Sequence, residues 1–340
     1  MLTAKSQAML FHLYLKKLEN GGLSLESFSS VSKRSENLTK AKVTIGVCVR
    51  DSADTIREAI ESITRQDFPH KLMEVVFVDD GSEDKTLSII QEYASKISMP
   101  VKIFHTSWMG LGHARNLVAT HALGKYILWL DGDMLLSRDF VRKLVEFMEQ
   151  HPRVGAAKGK QALERGANFL STLEAYSRAA GRMVDYSSDK GRYKALGTGG
   201  AIYRTAAIAQ VRGFDENLRG YGEDWDVEIR IRDAGWGLDT VDATFSDYER
   251  YKITWKSLWR RYWLRGYYTH YFLHKNRGLI KHYRMFPPTA FATGILHSRK
   301  LFRLTNQKTV FLLPFQNLFK MTAWYFGFTR SHLDDYKPSR

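Results

Sequence analysis

The 340-residue chain holds one cysteine, Cys48, and that scarcity removes both a disulfide framework and a cysteine-based zinc site. Within the apolar run VTIGVCV the thiol reads as a core side chain of a protein kept in a reducing compartment. No uncharged apolar stretch of about 18 residues occurs; the nearest, Thr309–Phe328, carries Lys320 near its centre. Ala8–Leu15 is apolar, but His12 interrupts it and Lys16-Lys17 follow with no small-residue cleavage site, so it reads as a short amphipathic helix or a disordered leader segment and not as a signal peptide. No G-x-G-x-x-G follows a strand-like run, which excludes a dinucleotide site. Acidic residues are scarce in one place only. From Tyr248 to Arg340 there are 18 Lys/Arg against 3 Asp/Glu, whereas the remainder carries 33 of each sign. The whole excess charge of +15 therefore sits in the C-terminal region, which suits an anionic partner.

What is present from residue 42 onward is an alternation. Val43–Val49, Val75–Val78, Val101–Phe104 and Tyr126–Leu130 are short apolar runs. Between and after them, residues 54–64, Thr86–Ala94, Leu111–Ala122 and Phe140–Gln150 repeat apolar positions at helical spacing, as Ile56, Ala59, Ile60 and Ile63 do. Buried strands alternating with helices of about ten residues predict a doubly wound, mostly parallel α/β sheet. Ligands of such sheets bind beyond the carboxyl ends of the strands. Asp51 with Ser52, Asp79-Asp80, and Asp131-Gly132-Asp133 all follow strand ends, so the fold class predicts that they converge on one edge.

Each cluster has a chemistry. Asp131 and Asp133, one residue apart, suit Mg²⁺ or Mn²⁺, whose remaining oxygen ligands a diphosphate supplies; the same pair also suits a turn before a helix. Asp79 and Asp80 suit hydrogen bonds to a base or ribose, or a helix N-terminus. Arg115, in GLGHARN, suits a phosphate or the Asp131 carboxylate. Gly197-Thr198-Gly199-Gly200 permits close backbone approach to a substrate, or a plain hairpin turn. Glu223-Asp224-Trp225-Asp226 opens a helical run; Asp224 is the candidate base for an acceptor hydroxyl, with Glu223, Trp225, Gly199 and Gly200 on the acceptor side, although acids also favour a helix N-terminus.

Together these residues resemble the inverting family-2 glycosyltransferases of the nucleotide-diphospho-sugar (GT-A) fold. The resemblance covers roughly residues 43–270 and rests on the order VDDGSEDKT, GHARN, DGD, GTGGAIYR and GEDWDVEIRIRDAGW. It implies nucleotide contacts for Asp79 and Asp80, a nucleotide or phosphate role for Arg115, metal binding by Asp131 and Asp133, and Asp224 as the base. It also implies a donor linked to UDP or GDP. Three departures stand out. Cys48-Val49-Arg50-Asp51-Ser52 replaces the family's usual Pro-x-Tyr-Asn-Glu. Asp247 stands where a metal-binding histidine often follows the last strand. Arg260-Arg261-Tyr262-Trp263 occupies the region of the processive members' Q-x-x-R-W without its glutamine, which points to single addition and offers Arg260 and Arg261 as diphosphate contacts.

The resulting division is an N-terminal helix and polar linker (1–41), a catalytic domain (42–250), and a basic aromatic C-terminal region (251–340). Its apolar stretches Met285–Leu296 and Val310–Phe328 read as helices lying in a membrane interface, ahead of a spanning hairpin or simple core packing. That seat fits a lipid-linked or glycan acceptor at the cytoplasmic face of a membrane, for a peripheral or monotopic protein. A nucleic-acid-binding role is disfavoured because strand-end acids repel phosphate, and a nucleotidyltransferase because VCVRDSADT lacks a glycine-rich loop.

Overall fold

The computed structural model describes residues 41–162, 164–179, 186, 194–278 and 286–335. The expected N-terminal helix and linker lie, but for Ala41, outside the described residues. Eight strands form one sheet: β1 Val43–Val49, β2 Met73–Asp80, β3 Val101–Thr106, β4 Tyr126–Leu130, β5 Leu135–Leu136, β6 Val154–Gln161, β7 Ala201–Arg204 and β8 Gly237–Ser246. Their order across the sheet is β3-β2-β1-β4-β7-β6-β8-β5. The first four are parallel, β7 runs against both β4 and β6, and β8 is parallel to β6. The expected doubly wound, mostly parallel sheet is thus present. Its chain order reverses between β1 and β4, and the crevice at that switch point is where such sheets bind ligands.

The strands are apolar on both faces because helices cover both. Val75 and Phe77 of β2 join one core with Ile56, Ile60 and Ile63 of α1 (Ile56–Thr64), Ile90 of α2 (Thr86–Ala94) and Leu144 of α4 (Phe140–Gln150). Val76 and Val78 point the other way, to Ala114 and Val118 of α3 (Leu111–His121), Ile208 of α6 (Thr205–Gln210) and Val227 of α7 (Glu223–Asp233). Alternation along a single strand therefore divides the core into two layers. Cys48 is half-buried against the second layer, and burial pushes its thiol up to about 12, so it is inert at neutral pH.

After β8 the described residues form three long helices: α8 Trp255–Lys275, α9 Pro287–Thr305 and α10 Leu313–Leu333. Thr254 and Ser257 form a capping box that starts α8. α8 and α10 cross with backbones touching: a Cβ on Gly266 would collide with the Trp324 carbonyl, and one on Gly327 with that of Trp263. The Lys320 that interrupts the apolar stretch is buried. Its Nζ donates to Glu174 Oε2 at 3.0 Å and to Ser177 Oγ at 2.9 Å on α5 (Phe169–Ala179), and lies 5.0 Å from the Tyr262 ring. Tyr262 donates to the other Glu174 oxygen at 3.0 Å. Burial alone would lower the ammonium pKa, but Glu174 and Tyr262 outweigh it and raise it. The region is thus fastened to the sheet domain by a charge pair inside a protein core. Among the described residues no helix is long and apolar enough to cross a membrane.

Removing one partner of a buried pair strands the other's charge. Lys320→Met is expected to cost about 3–5 kcal/mol of unfolding free energy, and Lys320→Met with Glu174→Leu much less, both read by urea denaturation. Equal losses in the two would refute the pairing.

Candidate active site

Strand register sets the floor of the site. Val49 pairs with Asp79, and Val47 with Leu130, so Asp51, Asp79 and Asp131 emerge together at the carboxyl edge of β1, β2 and β4. A Cβ on Gly132 would lie 2.8 Å from Val49 and 3.2 Å from Ser52, so the Asp-Gly-Asp turn rests on the end of β1. The convergence expected for Asp51, Ser52, Asp79, Asp80, Asp131, Gly132 and Asp133 is what the fold delivers.

Hydrogen bonds divide these acids by task. Asp80 is buried and accepts from the Met109 and Gly110 backbone N–H groups at 2.7 and 2.8 Å, which ties down the loop entering α3. Asp79 is fully buried, accepts from Ser82 Oγ, and has His105 Nδ1 at 2.7 Å. Asp51, in the left-handed region at φ 49°, accepts from the Glu83 N–H at 2.8 Å, while its own N–H donates to Ser82 at 2.9 Å. A nucleotide contact by Asp79 or Asp80 must add to bonds already made. Arg115 is buried in an ion pair with Glu223, joining α3 to α7, so it neither grips Asp131 directly nor stands open to a phosphate. Glu223, expected on the acceptor side, gives Oε1 to that pair, while its Oε2 is buried without a hydrogen-bond partner among the described residues. Trp225 stacks on Phe272 of α8, with ring centroids 4.7 Å apart.

Asp131 and Asp133 are compensated least. Burial raises both pKa values, and the neighbouring Asp247 raises them further, Asp133 to about 7. Asp247 is itself buried and clasped by Arg178, which also reaches Glu249 Oε2 at 3.3 Å. The Asp133 carbonyl is fixed by Arg250 Nη2 at 2.9 Å, and Arg250 is anchored on Glu58 at 2.6 Å. Arg261 lies close enough to hold the Asp133 rise down, whereas Arg260 is exposed on another side of α8. Half-buried carboxylates crowded by a third suit a hard divalent cation with oxygen ligands. Among the described residues no three His, Cys, Asp or Glu side chains are grouped to hold one alone, so the pair would share it with a diphosphate and water.

The other half of the site is the turn Gly197–Gly200. A Cβ on Gly199 would sit 2.6 Å from Asp131 Oδ2; one on Gly197 would sit 3.6 Å from Asp224 Oδ2 and 3.2 Å from Lys158 Nζ. One short turn therefore touches both carboxylates. Gly200, at φ +73°, has Phe245 and Met134 where a Cβ would go, so its place is in packing. Two residues that sequence reasoning passed over hold the turn. Glu228, buried one helical turn after Asp224, accepts from the Leu196 and Gly197 N–H groups at 2.7 Å each and from Tyr203 OH at 2.6 Å. Burial, then the Asp224 charge, pushes it up to about 7. Lys158 of β6 donates to the Leu196 carbonyl at 2.8 Å. Its pKa is lowered, by burial and then by Arg178, with Glu228, Asp224 and Asp131 opposing. The i, i+4 spacing of Asp224 and Glu228 was a usable signal; nothing in VGAAKGKQ marked Lys158.

Residues 44–209 match the family described as Glycosyl transferase family 2. A poly(ribitol-phosphate) β-N-acetylglucosaminyltransferase of Staphylococcus aureus is 33% identical over 110 residues, 32% of this chain and 19% of that protein. A cholesterol galactosyltransferase of Borreliella burgdorferi is 37% identical over 94 residues, 28% of this chain and 25% of that protein. The chain thus spans a fifth to a quarter of the length of these relatives. A solved mannosyltransferase from Pyrobaculum calidifontis, in complex with GDP-Man and Mn²⁺, superposes with a TM-score of 0.60 at 19% identity, over 97% of this chain and 96% of its own. The fold is of the GT-A type.

Because Glu228 is a carboxylate whose folded pKa exceeds its unfolded value, the stability it contributes is full below about pH 4.5 and is lost as pH rises through about 7. Glu228→Gln is expected to flatten the fall in urea unfolding free energy between about pH 5 and 7.5 by on the order of 2 kcal/mol. An unchanged slope would remove Glu228 from this account.

Proposed function

From a chain whose residues 44–209 belong to glycosyl transferase family 2, we propose an inverting transfer of a sugar from a UDP- or GDP-linked donor to an acceptor hydroxyl or phosphate. The observation that carries this reading is the Gly197–Gly200 turn, with Asp131 at one end and Asp224 at the other. The donor diphosphate lies over the strand ends beside Asp131 and Asp133, and Asp51, Ser52, Asp79 and Asp80 shape the nucleotide side. Arg261 faces the diphosphate, with Arg260 as an outer contact. Mg²⁺ or Mn²⁺ held by Asp131 and Asp133 supplies charge that offsets the departing diphosphate. Asp224, half-buried at the start of α7, accepts the acceptor's proton. The acceptor oxygen then bonds to the anomeric carbon, the bond to the diphosphate oxygen breaks on the opposite face, and the configuration inverts. Glu228 and Lys158 position the turn and touch no substrate.

The acceptor belongs to a lipid carrier or a glycan, at the cytoplasmic face of a membrane on which the protein is peripheral or monotopic. The basic aromatic helices α8–α10 support that placement; nucleic acid has no part in it.

Asp224→Asn is expected to lower kcat by about 10²–10⁴-fold while nucleotide affinity with Mn²⁺, measured by calorimetry, stays as in the wild type. Asp131→Asn is expected to lose the Mn²⁺-dependent part of nucleotide affinity and to lower kcat as well. Normal turnover in Asp224→Asn would sink the assignment of the base.

A further inference from the structure

α10 buries the polar Gln316, Lys320 and Ser331 together with Leu313, Ala323 and Trp324, yet leaves large rings outside: Phe315 is 60%, Phe326 58% and Tyr325 48% exposed. A helix surrounded by water places its polar side outward. The exposed rings continue onto neighbouring elements. Phe315 meets Phe291 of α9 at 5.3 Å, Phe326 lies 6.0 Å from Trp259 of α8, and Phe311, at the corner between α9 and α10, meets Phe302 at 5.2 Å. Leu296 and Leu312 are exposed as well. An apolar surface spread over three helices marks an interaction face.

Charge identifies what covers it. No acidic residue occurs between Glu249 and Asp334, and the exposed cations Arg299, Lys300, Arg303 and Lys308 flank the α9–α10 corner. A second copy of the chain would bring like charge against like. A lipid surface with anionic headgroups answers both the rings and the cations. The pair Lys320–Glu174 pins the opposite face of α10 to α5, so the helix cannot leave the fold to span a bilayer.

We infer that the outer face of α9 and α10 is a monotopic docking surface for anionic phospholipid, with Phe311, Phe315 and Phe326 entering the interface and the four cations meeting headgroups. This deepens the reading of a membrane-borne acceptor, on which it rests for its purpose but not for its physics. The test is flotation of the full chain with phosphatidylcholine vesicles, with and without about 30% phosphatidylglycerol. Wild-type protein is expected to float with the anionic vesicles, less at high salt, and not with neutral ones. Replacing the four cations by Gln should weaken binding by on the order of 1,000-fold. Phe311→Asp with Phe315→Asp and Phe326→Asp should abolish it while the protein still unfolds cooperatively in a thermal melt, since each ring is about half exposed and packs only on its outer neighbours. Failure of the wild type to float, flotation of the triple variant, or a wild-type dimer that the triple variant dissociates in light scattering would each overturn the inference. Flotation is read without donor or metal, so its failure leaves the transfer chemistry standing, and Asp224→Asn should float as the wild type does.

Discussion

Glu228 is a carboxylate removed from water, and a buried acid persists only where donors replace the water it has lost. Here two backbone N–H groups and one phenol do so, and they belong to the turn at Leu196–Gly197 and to β7. One side chain on α7 therefore fixes the distance between that helix and the glycine turn. Since Asp224 lies one turn earlier on α7 and Gly199 lies against Asp131, the same clamp sets where Asp131 and Asp224 stand relative to each other. Lys158 reaches the same turn from beneath, from β6. The position of Asp224 is therefore a consequence of packing around Glu228 rather than of any contact Asp224 makes itself.

Elsewhere at the strand edge, each acid but two has a dedicated partner. Backbone N–H groups hold Asp80, Ser82 and His105 hold Asp79, Arg178 holds Asp247, and Arg115 holds Glu223. These pairs stiffen the loops around the crevice and withdraw their charges from it. The uncompensated charge collects on Asp131 and Asp133, whose raised pKa values express the cost of leaving it there. A cation between a carboxylate pair and a diphosphate relieves that cost on both sides.

α8 links this chemistry to the outer face of the molecule. Along one helix, Arg261 lies toward Asp133, Tyr262 bonds Glu174 beneath, and Trp259 packs on Phe326 at the exposed apolar surface. The buried ion pair of Lys320 makes the C-terminal helices part of one fold with the sheet, so a surface bound by α9 and α10 would lie at a fixed orientation to the crevice.

The first half of the sheet is legible in the residue pattern alone. Parallel strands buried on both faces are continuous apolar runs, and β1 and β4 fall on the runs Val43–Val49 and Tyr126–Leu130, with α2 and α4 on their helical repeats. The same pattern also located the strand-end acids, because a doubly wound sheet has only one edge at which they can emerge. The second half was not legible. β6, with the sequence VGAAKGKQ, has little β-branched character and is held by β7 and β8 rather than by its own propensity. What only the tertiary structure decided is which charged groups face one another. Arg115 met Glu223 across 108 residues of chain, Lys320 met Glu174 across 146, and Glu228 met the glycine turn rather than solvent. Ion pairs and carboxylate clamps of this kind leave no periodic trace, because they depend on distances between elements that burial of the whole core sets at once.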